Sequence, residues 1–549
     1  MSARILYSSG RIVFIQLILL FGFCALLTRL VYLQVYQDIF LDDQVFTRLD
    51  SQYSLLAPRG KILDRNDQIL ALDIKGYSVG IDLSKFVYEK DIILFLAEQL
   101  RKDPVELTNT LIGKSSGYKE ISRNINLEAK ERLQSKKIPG IYFRENLRRS
   151  YPEKDITSHV VGLTDIDRQG IQGTELVFHN ELLGEKGSFE GIKGARNTKL
   201  EGNRVEAIPG EDIRLTIDIN IQSIAYHELN KSVKKHNATA GSIVVIEPKS
   251  GHILGLVNYP SFDPSNRKNL KNMSRLRNRA TVDVFEPGSV LKPIAMTAIL
   301  ESDKVQDTTK INTSPGWIEF EGFRTSDFRD YGVLSLSEII SYSSNVGMVK
   351  LCEDQDILHL TNYFKRFGIG RYPTSIMLPA REGFLPHSSQ FTLRDKVSSC
   401  YGYGMTLSAL QIAQAYSVFA NGGHFVELTL FKDHTFDEPY YERVIQPSTN
   451  SKIKQMLIET VNSETGTASK ARLEGKIVAG KTGTAKETLE EITTYTSTFA
   501  GFVPSDDPEY LAVIVLHGLS GEDSSGGKVS APLFSNIMEQ VYLLRDLKI

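Results

Sequence analysis

The sequence predicts an α+β protein carried on one N-terminal transmembrane helix. An irregular α+β module comes first, then a larger α+β domain with an antiparallel sheet flanked by helices. Three observations lead there. A single uncharged apolar run lies near the N-terminus. In mid-chain an amphipathic helix pattern precedes two strand patterns joined by a turn. Three more strand patterns and a closing helix stand at the far end, so one sheet is expected to be assembled from both ends of that domain.

The apolar run from Ile12 to Thr28 lies between Arg11 and Arg29 and is 17 residues long. At about 1.5 Å per residue it covers roughly 26 Å, enough to span a bilayer when the flanking arginines snorkel. Arg4 and Arg11 precede it without an acid, and Asp38, Asp42 and Asp43 follow it. The positive-inside bias therefore puts the N-terminus in the cytoplasm and the rest outside. No small-x-small cleavage site follows, and bulky Phe23 before Cys24 argues against a lipoprotein signal. The reading is a cytoplasmic tail over 1–11 and an uncleaved single-pass anchor over 12–33, with Leu30 to Asp43 prolonging the helix outward.

A module over 45–215 follows. Ile62, Asp64 and Asn66 alternate as a strand entering a turn. Asp91–Arg101 and Leu127–Gln134 read as helices; Ile141–Phe143, His159–Leu163 and Ile213–Ile217 read as short strands. The texture changes near Pro209-Gly210, and a second domain is expected over 216–549. Its first helix, Ile219–Lys235, carries Ile221, Ile224, Ala225, Leu229 and Val233 at helical spacing. Strands Ser242–Glu247 and Ile253–Val257 flank the turn Pro248-Lys-Ser-Gly251. Helical patterns dominate from 289 to 421. Strands are expected at Lys476–Lys481, Thr496–Val503 and Tyr510–His517, and a last helix at Pro532–Leu544.

Composition narrows the function. In 549 residues, 41% hydrophobic and 24% charged residues exclude a disordered chain, a collagen-like repeat and a many-pass membrane protein. Lys+Arg total 64 against Asp+Glu 66, so the net charge of -2 gives no basis for a nucleic-acid binder. Three cysteines are too few for a disulfide framework. Cys352 and Cys400 leave two readings open, a disulfide in an oxidising compartment or buried thiols. The histidines form no H-E-x-x-H, so no metal site is expected. Trp317 is expected in the core or as a loop anchor.

Three motifs can carry chemistry. In Glu286-Pro-Gly-Ser-Val-Leu-Lys-Pro293, Ser289 begins a helix expected over Ser289–Leu300. Lys292 lies on the same helical face and can take the serine proton if desolvation or nearby positive charge keeps it neutral. In Ser341-Tyr-Ser-Ser-Asn-Val346, Ser343 can relay a proton and Asn345 can bind a substrate amide. In Val478-Ala-Gly-Lys-Thr-Gly-Thr-Ala485, Lys481 offers a cation and Thr482 a hydroxyl, while Gly483 lets a substrate backbone approach. Gly475 to Thr482 also fits the phosphate-loop pattern G-x-x-x-x-G-K-[ST]. There, however, the apolar strand lies inside the supposed loop, and Gly483 and β-prone Thr484 follow. Each motif alone is weak, since a serine of this kind is more often only a helix cap. Their order, with Ser289 and Ser343 54 residues apart and Asn345 and Lys481 136 apart, is that of the penicillin-interacting serine acyltransferases.

With these motifs in place, the chain resembles a class B penicillin-binding protein, a peptidoglycan D,D-transpeptidase of the cell-division (FtsI) type. The resemblance runs nearly the full length. It includes Pro58-Arg-Gly-Lys-Ile-Leu-Asp-Arg-Asn66, Arg149-Ser-Tyr-Pro152, His159-Val-Val-Gly162 and Gly170-Ile-Gln-Gly-Thr-Glu175. Further along it includes Pro209-Gly-Glu-Asp-Ile213, Tyr401-Gly-Tyr-Gly404, Thr498-Phe-Ala-Gly501 and Ala531-Pro-Leu-Phe534. Thr174 and Cys400 depart from the family's usual residues, a branched apolar one and a small hydroxyl one. Asn345 in Ser343-Ser-Asn345, where elongation-type relatives carry Asp, points to division.

The resemblance implies a pedestal over 45–215 and a β-lactamase-like penicillin-binding domain over 216–549. It implies that Ser289 attacks between the terminal D-alanines of a stem peptide, with Lys292 as base and Ser343 and Lys481 handling the second proton. Asn345, Thr482, Gly483, Thr484 and Tyr401 would hold substrate, and the N–H groups of Ser289 and Thr484 would hold the oxyanion. No metal or organic cofactor is implied. The implied partners are stem peptides, β-lactams, the inner membrane, a SEDS-type (FtsW-like) glycan polymerase and divisome proteins, with the catalytic domain in the periplasm. The alternatives are an elongation-type transpeptidase, a β-lactamase or penicillin sensor, and a non-catalytic divisome scaffold.

Overall fold

The computed structural model describes residues 9–32, 34, 50–111, 117–193, 199–266, 272–302, 304–373, 376–432, 442–489, 492–521 and 523–547. Arg4 and most of the expected outward extension of the first helix lie outside these residues. The chain divides into two units, 1–58 with 183–210, and 59–182 with 211–549.

The first unit holds the helix Ser9–Val31, of which Ile12–Val31 is long and apolar enough to cross a membrane. It also holds a three-stranded antiparallel sheet. There Gly187–Lys193 lies between Asp50–Leu55 and Lys199–Val205.

The second unit begins with a sheet built around the long strand Ile69–Asp82. That strand pairs antiparallel with Tyr118–Ile125 and with Ile141–Ser150. Tyr77, Val79, Ile81, Leu96 and Leu133 form the core between this sheet and the helices Lys90–Leu100, Pro104–Leu111 and Leu127–Ser135. The strand expected over His159–Leu163 is instead a short helix, Ser158–Val161, followed by a two-residue strand. All four helix residues are buried, and an apolar run buried on every side carries no periodicity to tell helix from strand.

Three of the distant motifs meet in one buried ion cluster. Glu175 accepts from Arg59 Nε at 2.6 Å through one oxygen and from Arg149 Nε at 2.6 Å through the other. Asp73 pairs with Arg149 and Arg168. Thr174 fits the same packing because its hydroxyl donates to Val160 O at 2.9 Å.

A five-stranded antiparallel sheet organises the rest of the second unit. Its spatial order is His252–Tyr259, Ala240–Glu247, Tyr510–Leu519, Ile492–Val503, Ala479–Leu489. The early hairpin thus stands beside the late strands, with Ile243 opposite Ile514. Strand alternation sorts the side chains onto two faces. Ile243, Val245, Ala512 and Ile514 pack with the helices Ile219–His236 and Ser530–Leu547. Val244, Ile246, Val513 and Val515 face the core around the wholly buried helix Ala409–Ala420.

Two local expectations change. The strand expected over Lys476–Lys481 runs over Ala479–Leu489, so Lys481 lies inside it. Ile477, which gave the apolar signal, is 56% exposed just before the strand begins. Trp317 is not core. It is 39% exposed on the hairpin Trp317–Phe320/Phe323–Ser326, with the Arg324 guanidinium 4.3 Å above its ring.

Glu175→Ala leaves two guanidiniums buried without their shared carboxylate. It is expected to destabilise the protein by about 3–5 kcal/mol, read as the denaturation midpoint of detergent-solubilised protein. A loss below about 1 kcal/mol contradicts this.

Candidate active site

Ser289 is the second residue of a 3₁₀ turn, Gly288–Leu291, that runs into the α-helix Lys292–Leu300. The expected helix therefore opens with a tighter turn. Pro293 at its start lacks an N–H and fits the first α-helical turn, while the residues before it close 3₁₀ bonds. Ser289 is half-buried, and among the described residues its hydroxyl has no hydrogen-bond partner.

Two segments hold this turn. Gly288 N donates to Gly402 O at 3.0 Å, and Gly404 N donates to Glu286 Oε1 at 2.9 Å. A Cβ on Gly402 would lie 2.0 Å from Gly288 O, so only glycine allows this approach. On the other side a Cβ on Gly483 would lie 2.9 Å from Pro287 O. Gly483, expected to make room for substrate, makes room for the chain's own serine turn. Tyr401, also expected to bind substrate, is buried, with its hydroxyl 3.2 Å from Thr325 Oγ1.

Lys292 and Lys481 are completely buried, and both reach Ser343. Lys292 Nζ donates to Ser343 O at 2.6 Å and to Asn345 Oδ1 at 2.7 Å, and lies 3.2 Å from Ser343 Oγ. Lys481 Nζ lies 2.9 Å from the same Ser343 Oγ and 3.2 Å from Thr482 O. Ser343 sits at φ 61°, a left-handed conformation that non-glycine residues seldom adopt. Such strain persists only where the surroundings fix it.

Asp327 does much of that fixing, and the motif reading missed it. Its carboxylate accepts from Ser344 Oγ at 2.6 Å, Asn345 N at 2.5 Å and Val346 N at 3.0 Å. Negative charge there also complements the N-terminus of the helix Asn345–Glu353. Only the fold brings Asp327 to the serine turn; no sequence pattern links it to Asn345. The Asn345 amide donates to Ser326 O at 3.1 Å. Thr482 Oγ1 donates to Thr467 Oγ1 at 3.2 Å, and Thr484 Oγ1 accepts from Gly526 N at 3.1 Å.

The electrostatics favour a base. Burial, and next the neighbouring Lys481, hold the Lys292 amine well below the usual lysine range; Asp327 opposes them. Burial brings Lys481 down to about 7. Through their shared oxygen the two nitrogens are no more than about 6 Å apart. Two ammonium charges at that distance repel by about 3 kcal/mol at an effective dielectric constant of about 20. This repulsion and the shared burial both work against the two amines being charged together. Among the described residues no group of three His, Cys, Asp or Glu is placed to hold a metal.

Comparison with known proteins fits this arrangement. The penicillin-binding protein transpeptidase domain family matches residues 241–539, and the penicillin-binding protein dimerisation domain family matches 54–215. The chain belongs to the class B penicillin-binding proteins. It is an enzyme of that family, whose members act on peptidoglycan as D,D-transpeptidases and bind β-lactams. It is 33% identical to the "probable peptidoglycan D,D-transpeptidase PbpC" of Pseudomonas aeruginosa, over 96% of this chain and 94% of that protein. It is 30% identical to the "peptidoglycan D,D-transpeptidase FtsI" of Buchnera aphidicola, over 100% of this chain and 96% of that protein. The crystal structure of a peptidoglycan synthetase from Bifidobacterium adolescentis shares the fold, with a TM-score of 0.69 at 24% identity. That match covers 91% of this chain and 97% of the other.

In this penicillin-binding protein, Gly402→Ala must displace the serine turn. It is expected to slow penicillin acylation by about a hundredfold, as small misplacements of reacting groups do. Gly422→Ala, away from the turn, meets no atom within 4 Å, so despite its φ of 63° it is expected to cost about 1 kcal/mol of stability and leave acylation intact. Equal acylation by the two variants contradicts the close-approach role of Gly402.

Proposed function

We propose that this class B penicillin-binding protein cross-links peptidoglycan stem peptides through an acyl-enzyme on Ser289. The observation that carries the reading is the pair of buried amines, Lys292 and Lys481, held on one hydroxyl beside the serine turn. Neutral Lys292 takes the Ser289 proton as Oγ bonds to the carbonyl carbon between the two terminal D-alanines. The N–H groups of Ser289 and Thr484 stabilise the oxyanion. The C–N bond then breaks, and Ser343 passes a proton to the leaving D-alanine while charged Lys481 keeps the local field positive. An amine from a second stem then displaces Ser289 and forms the cross-link. Asn345 keeps one N–H for the stem-peptide amide, and Thr482 and Thr484 hold the substrate carboxylate or backbone. Gly483 and Tyr401 complete the substrate subsite.

The proposed organisation is a cytoplasmic tail over 1–11, an anchor over 12–33, a pedestal over 45–215 and a periplasmic transpeptidase domain over 216–549. Positive Arg11 supports this orientation, as does a buried disulfide between Cys352 and Cys400, since such bonds persist outside the reducing cytosol. We assign the septal rather than the elongation role on Asn345 in Ser343-Ser-Asn345. We further propose that the pedestal docks a SEDS-type, FtsW-like glycan polymerase and divisome proteins at the inner membrane.

Mass spectrometry after exposure to labelled penicillin is expected to find one adduct, on Ser289, and none in Ser289→Ala. An adduct elsewhere, or fast release of hydrolysed penicillin, refutes the reading. Acylation is also expected to be bell-shaped in pH. It rises as Lys292 loses its proton and falls as Lys481 loses its own, near pH 7. An alkaline limb delayed to the ordinary lysine range contradicts the assignment.

A further inference from the structure

Cys352 and Cys400 form a disulfide across 48 residues of sequence, and both are fully buried. Each end leads to a different wall of the site. Cys352 lies in the last turn of the helix Asn345–Glu353, whose first residue bonds Lys292. Cys400 caps the helix Leu393–Ser399 and is joined directly to Tyr401 and Gly402. Gly402 and Gly404 are the residues that clasp the Ser289 turn. Lys396, one turn before Cys400, adds a polar link between the same two helices. Its Nζ donates to Glu353 O at 2.7 Å and to Gln355 O at 3.0 Å.

We propose that this disulfide is a positioning brace for acylation, which makes the enzyme fully competent only after oxidation. Resting on the acyl-enzyme reading above, it ties the wall bearing Ser343 and Asn345 to the clasp under Ser289. Two reduced sulfurs require van der Waals separation instead of a bond. In a close-packed core that separation shifts the helices that carry them. The shift reaches Asn345 along one helix and Gly402 through two residues of backbone. Closure of the bond removes two electrons and two protons from the two thiols. They reduce the disulfide of a protein thiol oxidase in the exported compartment to its dithiol form.

The test uses the full chain in detergent, oxidised, reduced with dithiothreitol, and as the double variant Cys352→Ala/Cys400→Ala. Labelled penicillin acylation is timed at 25 °C, with thermal unfolding and amide hydrogen exchange measured beside it. We expect the reduced protein and the variant to acylate about tenfold more slowly while still folded, through the acylation step rather than the initial binding constant. Exchange is expected to rise in both 343–349 and 401–404. Acylation within twofold of the oxidised protein, with only the unfolding temperature lowered, overturns the brace. So does unchanged exchange in the two segments. If the double variant does not fold, the reduced wild-type protein decides alone. No adduct even in the oxidised protein overturns the acyl-enzyme reading and the brace with it, whereas an adduct that forms equally fast in the oxidised and reduced protein overturns the brace alone.

Discussion

Two amines without access to water share one hydroxyl, and the rest of the site answers to that constraint. Lys292 and Lys481 meet at Ser343 Oγ, where two full positive charges would repel strongly at short range. Desolvation works in the same direction on both. A lysine in water is a poor base at neutral pH because it is already protonated. Here burial and a like charge hold the Lys292 amine well below the usual lysine range, and among the described residues no histidine or carboxylate hydrogen-bonds to it.

Holding that arrangement requires backbone in conformations that local propensity does not favour. Ser343 is left-handed, Gly288 is left-handed, and the serine turn is pressed between two glycine-lined segments. The restraints come from far along the chain. Asp327 ties down the serine turn at 343–346, and the strand Ala479–Leu489 places Lys481. Both faces of the five-stranded sheet are buried against helices, and its edge strand packs against the turn that bears Ser289. The ion cluster of Arg59, Arg149 and Glu175 plays a comparable part in the smaller module. Its members come from three separate stretches and no pair of them is local.

Much of this was legible in the sequence. The spacing of Ile221, Ala225, Leu229 and Val233 gave the helix Ile219–His236, and the Pro248–Gly251 turn gave the hairpin beside it. The order of Ser289-x-x-Lys292, Ser343-x-Asn345 and Lys481-Thr-Gly pointed to the chemistry before any geometry. What stayed hidden depends on contacts between distant residues. Asp327 carries no motif, because a carboxylate that caps a remote helix looks like any loop aspartate. Gly483 and Tyr401 also have packing parts that their types do not announce, Gly483 against Pro287 O and Tyr401 against Thr325. The buried segment at 158–161 lacked the polar face that marks a helix. The Cys352–Cys400 pairing could not follow from two cysteines whose separation permits either state.

The protonation of the two lysines is the most direct measurement of this mechanism. Neutron diffraction from a deuterium-exchanged crystal grown near pH 6 would count the deuterons on each Nζ. Two on Lys292 and three on Lys481 is the expected result. Three deuterons on Lys292, the state of an ordinary lysine, would contradict its role as the base.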